Sequence, residues 1–111
     1  MPIVQIPTKQ ITDWASFHDI FARALGFPDY YGRNMDAWID CLTHAGEELG
    51  MVSPELVADE GDVLTLQLED VPDFAERCPE QYDSLIECAA FVNWRRIETG
   101  ARPLLALSFR K

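Results

Sequence analysis

Two aspartates and a histidine recur at four-residue spacing in the stretch "PDYYGRNMDAWIDCLTH", residues 28–44. On a helix, Asp36, Asp40 and His44 would share one face. Side chains of these types are candidate metal ligands or acid–base groups. However, one helix does not bring three of them to a single ion, and no compact cluster of His or Cys accompanies them. The two carboxylates also repel each other by roughly a few tenths of a kcal/mol, so a function that needs both charges would explain the pair.

The charge balance favours a basic protein partner. Nineteen acidic residues stand against nine basic ones, which gives a formal net charge of -10 and a pI near 4.4. Such a surface repels phosphate backbones and anionic lipid headgroups. We therefore expect no direct binding to nucleic acid and no membrane association.

The N-terminus and the cysteines indicate a cytoplasmic protein. The first ten residues, "MPIVQIPTKQ", lack the basic segment and long apolar run of a signal peptide or a membrane span. Cys41, Cys78 and Cys88 are odd in number and widely separated, which argues against a disulfide framework and against a cysteine metal site. We therefore expect reduced, largely buried thiols.

A chain of 111 residues with 48% hydrophobic and 11% aromatic content is sufficient for one compact domain, residues 1–111. Apolar spacing, caps and breakers predict three strands and four helices. In chain order these are a strand at Ile3–Ile6, a helix capped by Thr12 or Asp13 that ends at Gly26, a helix from the Asn34 cap to Gly50, a strand from Val63, a short helix from Asp70 or Val71 to Cys78, a helix from Pro79 to Gly100 and a strand at Pro103–Phe109.

This order of strands and helices predicts a two-layer α/β fold. Strands joined by helical crossovers are normally parallel. Parallel strands covered on both faces read as continuous apolar runs, whereas here Thr65 and Gln67 alternate with Leu64, Leu66 and Leu68. We therefore expect helices packed mainly on one face of the sheet.

For several side chains near the motif, a structural role alone is a sufficient explanation. Asn34 is a good N-cap, and one of Tyr30 and Tyr31 should be mostly buried as an anchor for the loop. Gly32 suits a positive φ angle, and Arg33 is spaced to screen Asp36. Expected core positions are Trp14, Trp38, Trp94 and Cys41, and His18 is expected at the surface or its boundary.

The segment "YYGRNMDAWIDCLT" resembles the signature of the barstar family, intracellular inhibitors of barnase-type ribonucleases. The family pattern has Tyr-Tyr-Gly-x-Asn before the second helix and Asp-Ala-x-x-Asp-Cys-Leu-Thr on it. The matching residues are Tyr30, Tyr31, Gly32, Asn34, Asp36, Ala37, Asp40, Cys41, Leu42 and Thr43. The match is dense and ungapped, and the preceding "LGFPD" also fits. The resemblance implies a barstar-like domain with a three-stranded parallel sheet and helices on one side.

The resemblance also implies a function, that of an immunity protein which blocks the active site of a basic secreted ribonuclease of the barnase type, or of a related toxin. In the family, the second helix and its leading loop fill that site, and helix carboxylates take the place of the RNA phosphate. Carried over by position, Asp40 is the central phosphate mimic and Asp36 is its neighbour. The other implied contacts are Tyr30, Gly32, Asn34 and Thr43. Such a protein is not an enzyme and needs no cofactor or metal.

The sequence departs from the family pattern at three places. The founding member has Leu-Trp where this chain has Trp38 and Ile39, so Ile39 takes the contact position and Trp38 points to the core. Arg95 and Arg96 fall where the founding member has acidic residues in its last helix, and the 44–62 segment is longer. An alternative is therefore a barstar-like scaffold that binds an unrelated protein, for which loss of the acidic pair leaves binding intact.

Overall fold

The computed structural model describes residues 2–45, 51–57 and 63–111. Within these residues, three strands and four α-helices follow each other in the predicted order. They are β1 (Ile3–Ile6), α1 (Trp14–Leu25), α2 (Met35–Thr43), β2 (Leu64–Leu68), α3 (Val71–Arg77), α4 (Pro79–Glu98) and β3 (Leu105–Phe109). Short 3-10 turns lie at Thr8–Gln10 and Pro54–Leu56.

The three strands form one parallel sheet in the order β1-β2-β3. Leu66, at the centre of β2, is opposite Val4 of β1 and Leu107 of β3. The three leucines of β2 are fully buried, whereas Thr65 and Gln67 between them are half-buried. The alternation therefore reflects one well-covered face, and the predicted two-layer α/β fold is confirmed.

The core lies between the covered face of the sheet and the helices. Its largest fully buried side chains include Trp38, Phe17, Phe21 and Phe74. Phe21 of α1 packs edge-on against Trp38 of α2, with 5.8 Å between the ring centroids. Burial of each such side chain contributes about 1.5–3 kcal/mol, so these contacts fix how α1 and α2 pack together.

The predicted core position is confirmed for Trp38, while Trp14 is half-buried against the core. It is wrong for Trp94, which is 58% exposed. The reason is the orientation of α4, which buries Ala89 and Val92 and so turns the Trp94 side chain away from the core. All three cysteines are free, with Cys41 and Cys78 buried and Cys88 half-buried.

Local capping explains both ends of α1. The Asp13 carboxylate accepts a hydrogen bond from the Ser16 backbone N–H at 2.8 Å, and Ser16 Oγ accepts one from the Asp13 N–H at 3.0 Å. This reciprocal arrangement is a capping box. The Ser16 N–H and the Ser16 hydroxyl, which donates to Asp13 Oδ1 at 2.7 Å, both favour the charged carboxylate and lower the pKa of Asp13. The helix ends at Gly26, whose φ of 70° lies in the left-handed region that glycine adopts without strain.

The second helix is shorter than predicted. It ends at Thr43, and a tight turn follows in which the Ala45 N–H donates to Leu42 O at 3.2 Å. The Arg96 guanidinium of α4 donates to Thr43 O at 2.9 Å and to Ala45 O at 3.5 Å. The guanidinium thus satisfies carbonyl oxygens at the end of α2 that a further helical turn would otherwise satisfy. Residues 46–50 of the predicted helix lie outside the described residues.

The described part of the long connecting segment, residues 51–57, packs against the end of α1. The Ser53 N–H donates to Leu25 O at 2.9 Å, and Val52 is buried. A Cβ placed on Gly26 would lie 1.9 Å from Ser53 Oγ, 3.1 Å from its Cβ and 3.3 Å from its nitrogen. Glycine is therefore needed at this position for its positive φ angle and for close approach of the segment.

We expect Gly26→Ala to lower the free energy of unfolding by about 2 kcal/mol, because it adds a clash with Ser53 to the cost of a positive φ angle. Urea denaturation of the two proteins measures the loss. Gly100→Ala is the matched control, since Gly100 also has a positive φ of 85° but an added Cβ there meets no atom within 4 Å. That control should lose only about 1 kcal/mol. Equal losses in the two variants would contradict a role for the Ser53 contact.

Candidate functional site

The motif helix α2 begins at a side-chain cap. Asn34 has extended backbone geometry, and its Oδ1 accepts a hydrogen bond from the Ala37 N–H at 2.8 Å. The predicted cap is confirmed. Asp36 follows in the first turn, where the helix dipole favours a negative charge. The start of α2 therefore offsets part of the repulsion between Asp36 and Asp40.

The two faces of α2 differ in chemistry. Trp38, Cys41 and Leu42 are buried in the core, whereas Asp36 and Asp40 are exposed on the opposite side. The motif residues are distributed in the same way: Tyr30, Gly32, Asn34, Asp36 and Asp40 are exposed, and Ile39 and Thr43 are half-buried. The helix therefore exposes two carboxylates to solvent, while its apolar side fixes the helix in the core.

Two buried polar atoms on α2 have no hydrogen-bond partner within the described residues, Trp38 Nε1 and Thr43 Oγ1. The Thr43 hydroxyl thus faces inward, although the residue as a whole is half-buried. The Thr43 hydroxyl is therefore not available at the surface.

The loop before α2 divides its two tyrosines between core and solvent. Tyr31 is buried against Phe27, with 4.6 Å between the ring centroids, and Tyr30 is 73% exposed. The prediction that one of the pair anchors the loop is confirmed. Tyr30 therefore adds an aromatic surface next to the acidic face of α2.

His18 of α1 holds this anchor and is not at the surface. It is only 4% exposed, and its Nδ1 lies 2.6 Å from the Tyr31 hydroxyl. The surface prediction was wrong because the loop folds over this side of α1 and supplies a partner for the imidazole. Burial lowers the pKa of His18 and raises the pKa of Tyr31, which favours a hydrogen bond between a neutral imidazole and a neutral tyrosine hydroxyl.

Arg33 makes a second set of contacts between the loop and α1. Its Nη1 lies 2.7 Å from Asp19 Oδ1, and its Nη2 donates to Ala15 O at 3.1 Å. Arg33 therefore pairs with Asp19 rather than screening Asp36. The positive φ angle predicted for Gly32 is instead found at Arg33, at 56°.

The role of Gly32 is close approach to α2. A Cβ at Gly32 would lie 3.3 Å from Ala37 Cβ, tighter than most real contacts. The backbone of the loop consequently passes directly over the first turn of the helix. This brings the loop and the exposed side of α2 into one continuous surface.

Asp40 has a partner on α4 that sequence reasoning missed. Arg95 Nη1 lies 3.4 Å from Asp40 Oδ1, with the two side chains 40% and 58% exposed. The Arg95 guanidinium also lies over the Phe91 ring, 5.9 Å from its centroid. The sequence signal was the pair of arginines late in the last helix, but the α2 atoms that they contact are more than fifty residues away.

The arrangement suits recognition of cations by a surface. Exposed carboxylates accept hydrogen bonds from arginine in bidentate geometry, and an exposed tyrosine ring adds contact area. Within residues 2–45, 51–57 and 63–111, no group of three or more His, Cys, Asp or Glu side chains is placed to hold a metal ion. Asp36, Asp40 and His44 therefore do not converge as metal ligands.

Comparison with known proteins identifies a family and a relative. The family model described as "Barstar (barnase inhibitor)" matches residues 1–105. A Bacillus subtilis (strain 168) protein named "Putative ribonuclease inhibitor YrdF" is 65% identical over 26 residues, which is 23% of this chain and 29% of that protein. This chain thus aligns with less than a third of the relative's length. Among the described helices, none is long and apolar enough to cross a membrane.

The His18–Tyr31 contact predicts a pH dependence of stability. Burial lowers the pKa of His18 in the folded chain, so below its ordinary value of 6.5 the unfolded chain takes up the proton first. The free energy of unfolding should therefore fall as the pH drops from neutral through 6.5, until the folded pKa is passed. Urea titrations at a series of pH values measure this slope.

His18→Asn should flatten that slope in the same pH range, because asparagine keeps an acceptor near the Nδ1 position and does not titrate. His44→Asn is the matched control, since His44 is the other histidine of the chain. It should retain the wild-type slope. A slope that disappears with His44→Asn and persists with His18→Asn would contradict this assignment.

Proposed function

This chain belongs to the barstar family of ribonuclease inhibitors, and from that premise we propose that it blocks the active site of a barnase-type ribonuclease with α2 and the loop before it. The observation that carries the proposal is the exposed pair of carboxylates, Asp36 and Asp40, on a helix whose other side is fixed in the core. A ribonuclease site is shaped to receive an anion, and these carboxylates supply one without a scissile bond.

The chemistry of the acidic face supports this choice of partner. A carboxylate binds an arginine through charge-assisted hydrogen bonds that are stronger than neutral ones. In this proposal Asp40 takes the central phosphate position and Asp36 extends the anionic surface toward the start of α2. The net charge of -10 steers the chain toward a basic enzyme, which raises the association rate.

The remaining contacts surround the two carboxylates. We assign Tyr30, Gly32 and Asn34 to the loop side of the interface, and Ile39 and Thr43 to the helix side. Exposure of the Tyr30 ring and the close passage of Gly32 over α2 support the loop assignments. Ile39, half-buried, provides a smaller apolar contact than an aromatic side chain would.

The proposed protein acts by binding and not by catalysis. It neither needs a cofactor nor contacts nucleic acid. We propose that it works in the cytoplasm as the immunity protein, or antitoxin, of a basic secreted ribonuclease. Its task there is to protect the producing cell before the enzyme leaves it.

A second candidate function is a barstar-fold scaffold that binds an unrelated protein. The exposed apolar side chains of α4 favour it: Phe91, Trp94 and Ile97 lie on the outer side of that helix and are about half exposed. The two candidates differ in one respect. If a partner binds through α4 alone, its affinity should not change when Asp36 and Asp40 are replaced.

We expect Asp40→Asn to weaken inhibition of a barnase-type ribonuclease at least about tenfold, because a central charged contact loses its charge but keeps its shape. The double change Asp36→Ala and Asp40→Ala should abolish inhibition at the same concentration. The measurement is the inhibition constant against a panel of purified barnase-type ribonucleases.

Asp83→Asn is the matched control for the change in net charge. Asp83 is exposed on the first half of α4, outside α2 and its leading loop. It should leave the inhibition constant nearly unchanged. Inhibition that survives the double aspartate change would move the interface away from α2 and favour the scaffold function.

The two tyrosines should separate binding from stability. Tyr30→Ala is expected to weaken inhibition by about 1–3 kcal/mol with little change in unfolding free energy, because its ring is mostly in solvent. Tyr31→Phe should mainly lower stability, by about 1–2 kcal/mol, because it leaves the buried His18 imidazole without its partner. Inhibition assays and urea denaturation of both variants test the distinction, and a mere loss of stability in Tyr30→Ala would argue against a contact role.

A further inference from the structure

The central carboxylate of the acidic face is not an isolated charge. Asp40 Oδ1 lies 3.4 Å from Arg95 Nη1, and the two residues come from α2 and α4, fifty-five positions apart in the chain. Both side chains are about half exposed, so the ion pair is open to solvent. Any partner group that reaches Asp40 therefore also comes within reach of the Arg95 guanidinium.

Two neighbours hold Arg95 at this edge of the surface. Its guanidinium lies over the Phe91 ring, 5.9 Å from the centroid, one helical turn back on α4. The adjacent Arg96 donates to the carbonyl oxygens of Thr43 and Ala45 at the end of α2. These contacts fix the register of α4 against α2 and keep the Arg95 charge beside Asp40.

Both members of the Asp40–Arg95 ion pair can make further hydrogen bonds. A guanidinium has five N–H donors in a planar fork, and one of them is directed at Asp40. The Asp40 side chain is 58% exposed, so its carboxylate stays accessible to a partner cation. A partner thus meets an acceptor and a fixed positive charge next to each other rather than a purely negative surface.

We propose that Arg95 is a specificity-determining residue, which selects a ribonuclease that presents an acidic side chain beside the cations that contact Asp40. This inference rests on the proposed function. An enzyme with such an acid gains a bidentate contact with Arg95, whereas an enzyme whose active-site rim is basic throughout meets a like charge. Like charges brought together at an interface disfavour that partner strongly, more so at low salt.

The test is a comparison of Arg95→Gln and Arg95→Glu with the wild type against barnase-type ribonucleases whose active-site rims differ in charge. Wild type should inhibit the acidic-rim enzymes best. Arg95→Glu should invert this order and inhibit basic-rim enzymes at least about tenfold better than wild type does, with the gain reduced at high salt. Arg95→Gln should lie between the two.

Arg110→Gln is the matched control for the loss of one positive charge. Its side chain lines a cleft of about 320 Å³ with Lys9 and Asp70, and that cleft includes no residue of α2 or α4. It should preserve the wild-type order of inhibition. Melting temperatures of the Arg95 variants should stay near that of the wild type, because an exposed ion pair contributes little to stability.

The outcomes separate this inference from the function on which it rests. An unchanged order of inhibition in both Arg95 variants, with inhibition still weakened in Asp40→Asn, would overturn the role of Arg95 and leave the proposed function standing. Failure of every chain, Arg95→Glu included, to inhibit any enzyme of the panel would overturn both.

Discussion

The burial of Trp38 is the constraint on which the candidate site depends. A nine-residue helix is too short to be stable by its own hydrogen bonds, so α2 exists because its apolar side is held in the core. Trp38 is fully buried against Phe21 and is followed by Leu42, one turn later, also fully buried. These contacts fix the rotation of the helix about its axis. The same rotation places Asp36 and Asp40 in solvent.

The loop before α2 is held by a different kind of interaction. Its contacts with α1 are largely polar and directional: the Tyr31 hydroxyl with His18, and the Arg33 guanidinium with Asp19 and the Ala15 carbonyl. An aromatic contact with Phe27 covers the first of them. Such contacts specify one arrangement of the loop, because each donor has a defined acceptor. A preorganised loop loses less conformational entropy when a partner binds.

Local signals in the sequence predicted much of this structure. The alternation of leucine with Thr65 and Gln67 identified a sheet covered mainly on one face, and Asn34 and Gly26 marked helix ends correctly, because each depends on residues close by in the chain. Two of the errors concern side chains whose partners are distant in the chain. The sequence predicts His18 at the surface or its boundary, whereas its partner Tyr31 folds over it from the following loop. The predicted α2 is too long, because Arg96, fifty-three residues after Thr43, completes the end of the helix. The hydrophobic periodicity of a sequence does not report contacts between residues so far apart.

The role of Arg96 at the end of α2 also bears on the order in which the molecule is completed during synthesis. The carbonyl oxygens of Thr43 and Ala45 gain their side-chain donor only once Arg96 has been synthesised, late in translation. Asp40 likewise gains its partner only once Arg95 has been added. The edge strand β1 has its partner β2 much earlier, once residue 68 has emerged. The surface around Asp40, by contrast, gains its contacts from α4 only after Arg95 and Arg96 have been added.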